Sequence, residues 1–260
     1  MPWRALDALF APAPNEARIA WLKGRDYAHR GLHDDGAPEN SLSAFSAAIT
    51  RGLGIECDVQ QSGDGQAIVF HDWELDRLTR EHGPVAARVL AELTQIRIGE
   101  GSDHIPSLRD VLALVGGRVP LLVELKTRPD RRVSALCLAV RRDLEGYRGD
   151  VAVMGFDPRV SAWFRSHAPR IVRGLVVSEE GSRTLSGAVR RHRALWQARP
   201  DFLAYDVRDL PSGFAAAQRR RGLPVLAWTV RSAALRQRAA EHADAPICEA
   251  GGIADAGSIP

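Results

Sequence analysis

Four short stretches of this 260-residue chain carry residues of the right type and spacing for chemistry. Glu56 and Asp58 stand two apart in Ile55-Glu56-Cys57-Asp58-Val59, and Glu124 and Lys126 stand two apart in Leu122-Val123-Glu124-Leu125-Lys126. Ala28-His29-Arg30-Gly31 and Phe70-His71-Asp72 close two further apolar runs. Residues two apart on a strand point the same way, so each pair presents both members to one side. Three acids gathered on one side repel one another unless a cation lies among them. A set of carboxylate oxygens suits Mg²⁺, Ca²⁺ or Mn²⁺ rather than zinc. Structural ion pairs with the chain's many arginines are the alternative. Charged side chains are rarely buried without a partner, and here two such strands coincide, which favours the cation.

His29 and His71 are a candidate acid–base pair. Cleavage of a phosphodiester takes one proton from a nucleophile and gives one to a leaving alkoxide, and histidine titrates where it can do either. A lone histidine at a strand end is more often a hydrogen-bonded structural group, and that reading goes to His33, His82, His104, His167, His192 and His242. Arg30 and Lys126 supply positive charge for phosphate oxygens. Of 35 basic residues only Lys23 and Lys126 are lysines. A lysine at 126 therefore suggests a place for a compact, rotatable ammonium rather than a planar fork.

Elements that would position these groups are legible along the chain. Strands are expected at 26–29, 55–59, 67–71, 120–125, 151–155, 172–177, 202–206 and 224–229, each short, apolar and rich in Val, Ile or Leu, as strands buried on both faces are. Ser41 opens a helix that places Leu42, Phe45, Ala48 and Ile49 on one face and ends at Gly52. Ser107 and Asp110 form a capping-box pattern for a helix ending at Gly116. Asp157-Pro158 is an N-cap followed by proline at the first helical position. Further helices fit 131–145, 183–198, 212–221 and 232–242. Strands alternating with helices imply a parallel sheet, and eight units imply an α/β fold closed as a (β/α)8 TIM barrel, whose catalytic groups collect at the C-terminal strand ends. A doubly wound open sheet would carry a glycine-rich phosphate turn, and neither GxGxxG nor GxxxxGK[ST] occurs. Residues 76–106 are expected to form a small insertion after strand 3. Residues 1–24 read as an N-terminal extension packed on the barrel through Trp3, Phe10 and Trp21.

Bulk properties narrow the class. The length and an apolar content of 45% suit one sizeable core. A net charge of +3 gives no reason to expect nucleic acid or a membrane surface as partner. Cys57, Cys137 and Cys248 have no ligand-like spacing and read as buried hydrophobes in a reducing compartment. Arg4, Asp7, Pro12 and Pro14 interrupt the N-terminal apolar pieces, so no signal peptide is expected there. No run approaches the roughly 20 apolar residues of a membrane span. The expectation is a cytoplasmic protein acting on a small molecule, without stable membrane insertion. Its oligomeric state is left open.

The ordered set His29-Arg30-Gly31, Pro38-Glu39-Asn40-Ser41, Glu56-x-Asp58, His71-Asp72-x-x-Leu75-x-Arg77 and Glu124-x-Lys126 resembles the glycerophosphodiester phosphodiesterases. Ile105-Pro106-Ser107-Leu108, Phe156-Asp157-Pro158 and Trp228-Thr229-Val230 are similar to later segments of that family, and the likeness spans roughly residues 24–230. The resemblance implies a (β/α)8 fold and a divalent metal ion, Mg²⁺ or Ca²⁺, on Glu56, Asp58 and Glu124. It implies His29 and His71 as acid and base, Arg30 and Lys126 on the phosphate, and Trp228, with Phe156, at the glycerol end. The products would be glycerol 3-phosphate and an alcohol, with water or the glycerol 2-hydroxyl as nucleophile. The insertion would shape substrate choice. Asn40 is expected in an Asx or N-cap role, and Glu39 either braces the first loop or reaches the metal. The chain departs from the family after strand 8. There it reads Ala245-Pro246-Ile247-Cys248-Glu249-Ala250-Gly251-Gly252 in place of a Thr-Asp-Xaa-Pro ending.

Three rivals fit the sequence less well. A phospholipase D-like or phosphoinositide-cleaving enzyme acts at membranes, and this chain shows no amphipathic anchor or polybasic patch. A barrel that only binds phosphate esters would show a degraded catalytic position, and none is degraded. A metal amidohydrolase commonly opens with HxH on strand 1, where this chain has His29-Arg30-Gly31.

Overall fold

The computed structural model describes residues 3–34, 36–128 and 132–253. In chain order the elements begin with α1 (Trp3–Phe10) and α2 (Glu16–Ile19). They continue with β1 (Tyr27–His29), α3 (Leu42–Thr50), β2 (Gly54–Gln61), β3 (Ala67–Val69), α4 (Leu90–Leu93), α5 (Leu108–Val115), β4 (Leu121–Leu125) and α6 (Val133–Asp143). The remainder are β5 (Val151–Met154), α7 (Pro158–His167), β6 (Val172–Val177), α8 (Leu185–Ala198), β7 (Phe202–Asp206), α9 (Gly213–Arg219), β8 (Val225–Val230), α10 (Ala233–His242) and β9 (Ala245–Cys248). The fold class is a (β/α)8 barrel of eight parallel strands, with β3 as an extra strand. Two compact units make up the chain, one formed by Tyr27–Val151 and the other by the described residues before and after it.

In the unit Tyr27–Val151, β1 and β4 flank β2 in parallel, with His29 opposite Glu56 and Asp58 opposite Glu124. β3 runs antiparallel to β2, with Val59 opposite Val69. This corrects the sequence expectation, which counts 67–71 among the eight barrel strands. Residues 62–66 close a tight turn, with the Ser62 amide donating to the Gln66 carbonyl at 3.0 Å. So short a reversal can only make a hairpin, because a parallel neighbour needs a crossover of a dozen residues or more.

Helix ends in this unit follow their caps. Ser41 accepts from the Ala44 amide at 3.1 Å to start α3. Ser107 and Asp110 form the reciprocal capping box of α5, which Gly116 ends in a left-handed conformation. The insertion 76–106 carries α4 and buries Val85, Leu93, Ile96, Ile98 and Ile105 against Ile68, Phe70 and Leu75. Each such side chain contributes about 1.5–3 kcal/mol on leaving water. Asp103 ties the insertion to α3, accepting from the Ser43 hydroxyl at 2.6 Å.

In the other unit β5 to β9 run parallel in chain order. β9 supplies the eighth barrel strand, from the segment that in sequence stands out only as a departure from the family. It pairs with β8 with Ala227 opposite Pro246, and the register shifts before Val230 meets Cys248. Gly174 on β6 lies under the Phe202 ring, where an added Cβ would come within 2.4 Å of a ring carbon. Asp7 on α1 is buried and accepts from His192 Nδ1 at 2.8 Å, Trp196 Nε1 at 2.8 Å and Gln218 Nε2 at 2.7 Å. Trp3 stacks on the His192 ring with centroids 4.4 Å apart. The hydrogen bond to Asp7 gives His192 its structural role. Among the described residues no helix is long and apolar enough to cross a membrane.

Candidate functional site

The site in the Tyr27–Val151 unit is built by register. Glu56 and Asp58 share one side of β2, and the parallel pairing sets Asp58 directly opposite Glu124 on β4. One carboxylate oxygen from each of Glu56, Asp58 and Glu124 can be chosen so that all three lie within 4.8 Å of one another. Glu56 and Asp58 are each only 1% exposed. Glu56 Oε1 is buried and, among the described residues, finds no hydrogen-bond donor. A buried acceptor left unsatisfied is costly, and a hard divalent cation held by oxygen ligands is the group that fits it.

Burial raises the Glu56 carboxyl well above the ordinary glutamate range, and the neighbouring charges of Asp58 and Glu124 push it further. Burial raises Glu124 as well, partly offset by Lys126. Burial would also raise Asp58, but Lys126 and Arg30 overcome it and hold this carboxyl down at about 2. Without a cation the cluster therefore resists carrying its full negative charge.

Cations of the protein border the cluster. Lys126 Nζ lies 3.0 Å from Glu124 Oε1 and 3.3 Å from Asp58 Oδ1. Burial works against the Lys126 charge, yet Glu124 and Asp58 raise its pKa above the ordinary lysine value. Arg30 Nε lies 3.1 Å from Asp58 Oδ2, and the Arg30 amide donates to Glu56 Oε2 at 3.1 Å. Arg30 reaches this position from a left-handed backbone with φ 56°, which costs of the order of 1 kcal/mol. Gly31 follows at φ 81°, where a Cβ would stand 2.9 Å from Ala44 and Phe45 atoms. This crowding accounts for a glycine after the His-Arg pair.

His29 Nε2 is 3.9 Å from Glu56 Oε2. His71 directs Nδ1 at Asp72 Oδ1, 2.7 Å away, which leaves Nε2 to carry the lone pair of the neutral ring. Burial lowers the His71 pKa, with Lys126 and Arg30 adding to the effect against the charge of Asp58 and the Asp72 hydrogen bond. Gln60 holds this loop, its side-chain amide donating to the Phe70 carbonyl at 2.9 Å and the Asp72 carbonyl at 2.6 Å.

Phe156 and Trp228 belong to the other unit. Their rings meet edge-on with centroids 5.5 Å apart, and Trp228 Nε1 donates to the Ala204 carbonyl at 2.9 Å. Phe156 is 50% exposed.

One loop residue, Asn40, behaves differently from expectation. Asn40 is not the N-cap, which Ser41 provides. Asn40 is fully buried in a left-handed conformation, φ 58°, and grips Asp58. Its Nδ2 donates to Asp58 Oδ2 at 3.0 Å, and its Oδ1 accepts from the Asp58 amide at 3.1 Å. Glu39 lies outside the three-carboxylate cluster; it pairs with Arg30 at 2.7 Å and with Arg77 at 2.8 Å. Sequence reasoning misses Gln60, although it continues the same-side series of Glu56 and Asp58. Arg77 stands out in sequence only as part of a motif.

The profile described as "Glycerophosphoryl diester phosphodiesterase family" matches residues 29–249. The glycerophosphodiester phosphodiesterase of Caldanaerobacter subterraneus subsp. tengcongensis is 38% identical over 108 residues, covering 38% of this chain and 44% of that protein. Glycerophosphodiester phosphodiesterase 1 of Bos taurus is 26% identical over 181 residues, covering 64% and 54%. The chain thus spans about half the length of the curated relatives it matches. The structure of an Oleispira antarctica phosphodiesterase in complex with the product sn-glycerol-3-phosphate is similar with a TM-score of 0.77 at 24% identity, covering 87% of this chain and 93% of that one. The glycerophosphodiester phosphodiesterase structure from Thermotoga maritima gives a TM-score of 0.68 at 23% identity, covering 86% and 93%. At these identities the structural likeness speaks for the fold.

Proposed function

The chain belongs to the glycerophosphoryl diester phosphodiesterase family, and from that premise we propose that it hydrolyses glycerophosphodiesters to glycerol 3-phosphate and an alcohol. The observation that carries the proposal is the gathering of Glu56, Asp58 and Glu124 beside Arg30, Lys126 and His71. A divalent cation on the three carboxylates, Mg²⁺ or Ca²⁺, would supply positive charge to the phosphoryl oxygens. Arg30 and Lys126 hold the same oxygens and share the charge that develops on them.

His71, its Nδ1 committed to Asp72, takes the proton of the nucleophile at Nε2. His29 gives a proton to the leaving oxygen. The catalytic domain is residues 25–260, with 1–24 as an N-terminal extension and the insertion 76–106 shaping the choice of alcohol. The three cysteines, all free and buried, fit work in a reducing cytoplasm.

The test is release of glycerol 3-phosphate from choline, ethanolamine, glycerol and inositol diesters with Mg²⁺, with Ca²⁺ and with chelator. Release from one or more diesters that stops with chelator is the expected result. Failure to release it from every diester under both metals would overturn the activity.

A further inference from the structure

Arg77 stands in the loop after β3 with its guanidinium spread across two carboxylates. Nη1 donates to Glu39 Oε2 at 3.0 Å and Nη2 to Glu39 Oε1 at 2.8 Å. On the other edge Nε donates to Asp72 Oδ2, and Nη2 reaches Asp72 Oδ1 at 3.1 Å. Each carboxylate has one more partner. Asp72 Oδ1 takes the hydrogen bond from His71 Nδ1, and Glu39 Oε1 takes one from Arg30 Nη1 at 2.7 Å. Arg30 in turn touches Asp58 and Glu56. An unbroken series of polar contacts therefore runs from His71 through Arg77 to two acids of the cluster.

An ordinary surface ion pair would need one carboxylate and would contribute little. Using both edges of one planar fork sets direction as well as attraction, which an ammonium cannot do. The hydrogen bonds from Arg77 hold Asp72 below the ordinary carboxylate range even though burial would raise it, and Glu39 is lowered against burial in the same way. Both acids thus stay ionised as acceptors for His71 and Arg30.

We propose that Arg77 is a positioning residue. Its single guanidinium fixes both the ring nitrogen with which His71 accepts a proton and the arm with which Arg30 holds the phosphate. The inference rests on the activity proposed above. Without Arg77, Asp72 is free to turn from His71 and Glu39 to turn from Arg30. Base orientation and phosphate binding are then lost together, although Arg77 itself touches neither the reacting atoms nor the three cluster acids.

The experiment compares Arg77→Gln, Arg77→Lys, Asp72→Asn and Glu39→Gln in the full chain, on the diester that wild type cleaves fastest. Arg77→Gln is expected to lower kcat and raise KM, each by about tenfold, the low end for loss of a group that orients site residues. Asp72→Asn moves mainly kcat and Glu39→Gln mainly KM. Adding Arg77→Gln to Asp72→Asn costs no further kcat, and adding it to Glu39→Gln costs no further KM. Arg77→Lys, able to serve one carboxylate, restores one effect only. Nitrogen-15 NMR of His71, recorded without substrate, should show the Nδ1–H tautomer in wild type and a mixture in Arg77→Gln. Unchanged kcat, KM and tautomer per folded molecule in Arg77→Gln would overturn the proposal. If wild type cleaves no diester, the activity reading falls, and the tautomer measurement by itself decides whether Arg77 positions His71.

Discussion

Asp58 and Glu124 face each other across the parallel β2–β4 pair, with the Lys126 ammonium 3.3 Å from one carboxylate and 3.0 Å from the other. The strand register therefore dictates a carboxylate pair that one lysine partly neutralises. Lys126→Met removes that ammonium and keeps most of the stem's volume. At neutral pH the metal-free protein should lose about 3 kcal/mol, the lower range for stripping a partner from a buried charge. The loss should shrink in acid, where Glu124 can take a proton instead. Urea denaturation with chelator at two pH values measures this. A Lys126→Met protein as stable as wild type at neutral pH would mean that the ammonium does not offset the pair.

Glu56→Gln separates metal binding from folding. Burial and two neighbouring acids penalise the Glu56 charge, so a neutral isostere should make the metal-free protein more stable at neutral pH. On the proposed cation site the same change deletes one of three anionic ligands, so calorimetry should show weaker Mg²⁺ or Ca²⁺ binding. Unchanged metal affinity would take Glu56 out of the ligand set.

The pH dependence has opposite signs at its two ends. Glu56 and Glu124 are raised above 4.5 in the folded chain, so their favourable contribution is complete below that value and is lost as pH climbs through the raised pKa values. Asp58 is lowered from 3.8 to about 2, so its contribution is complete above 3.8 and disappears as pH falls toward 2. With chelator, the cluster's contribution to stability should therefore peak in mild acid. Saturating divalent ion, bound to the ionised carboxylates as proposed, should abolish the loss on the alkaline side. Thermal unfolding followed across pH, with chelator and with metal, checks both limbs. Identical curves under the two conditions would contradict the cluster as a cation site.

His71→Ala and His29→Ala should each lower turnover by about 10²–10⁴-fold, the usual worth of a positioned acid or base. Circular dichroism should show an unchanged fold. Full activity in both variants would remove the acid–base assignment.

Much of this arrangement is legible in the amino-acid sequence. The chemical residues stand at the C-terminal ends of apolar runs, and same-side alternation pairs Glu56 with Asp58. What hydropathy does not convey is strand direction. Ala67–Val69 is as apolar as its neighbours, and only the tight turn ahead of it makes it antiparallel. Ala245–Cys248 draws notice in sequence for its mismatch to the family ending. Pro246 and the register shift beside it leave little of a regular strand pattern, yet the segment completes the parallel set. Asn40 misleads because an Asn ahead of Ser41 looks like a cap, whereas its left-handed backbone turns the side chain to Asp58. Contacts such as Arg77 with Glu39 join residues 38 apart in sequence, and no local pattern encodes them.

Asn40 offers a way to separate backbone from side chain. Its left-handed conformation is one that glycine adopts freely and alanine does not. Its side chain makes two buried hydrogen bonds to Asp58, one to the carboxylate and one from the amide. Asn40→Gly keeps the backbone and deletes both bonds, so its cost of about 2–3 kcal/mol reports the side chain. Asn40→Ala deletes the same bonds and adds about 1 kcal/mol or more of left-handed strain. The difference between the variants, measured by urea denaturation, therefore gives the left-handed strain less the extra freedom glycine has in the unfolded chain. Metal affinity should fall by the same factor in both, because each releases Asp58 Oδ2 from the same donor. If only Asn40→Ala weakened metal binding, the loop backbone rather than the Asn40 amide would be orienting Asp58.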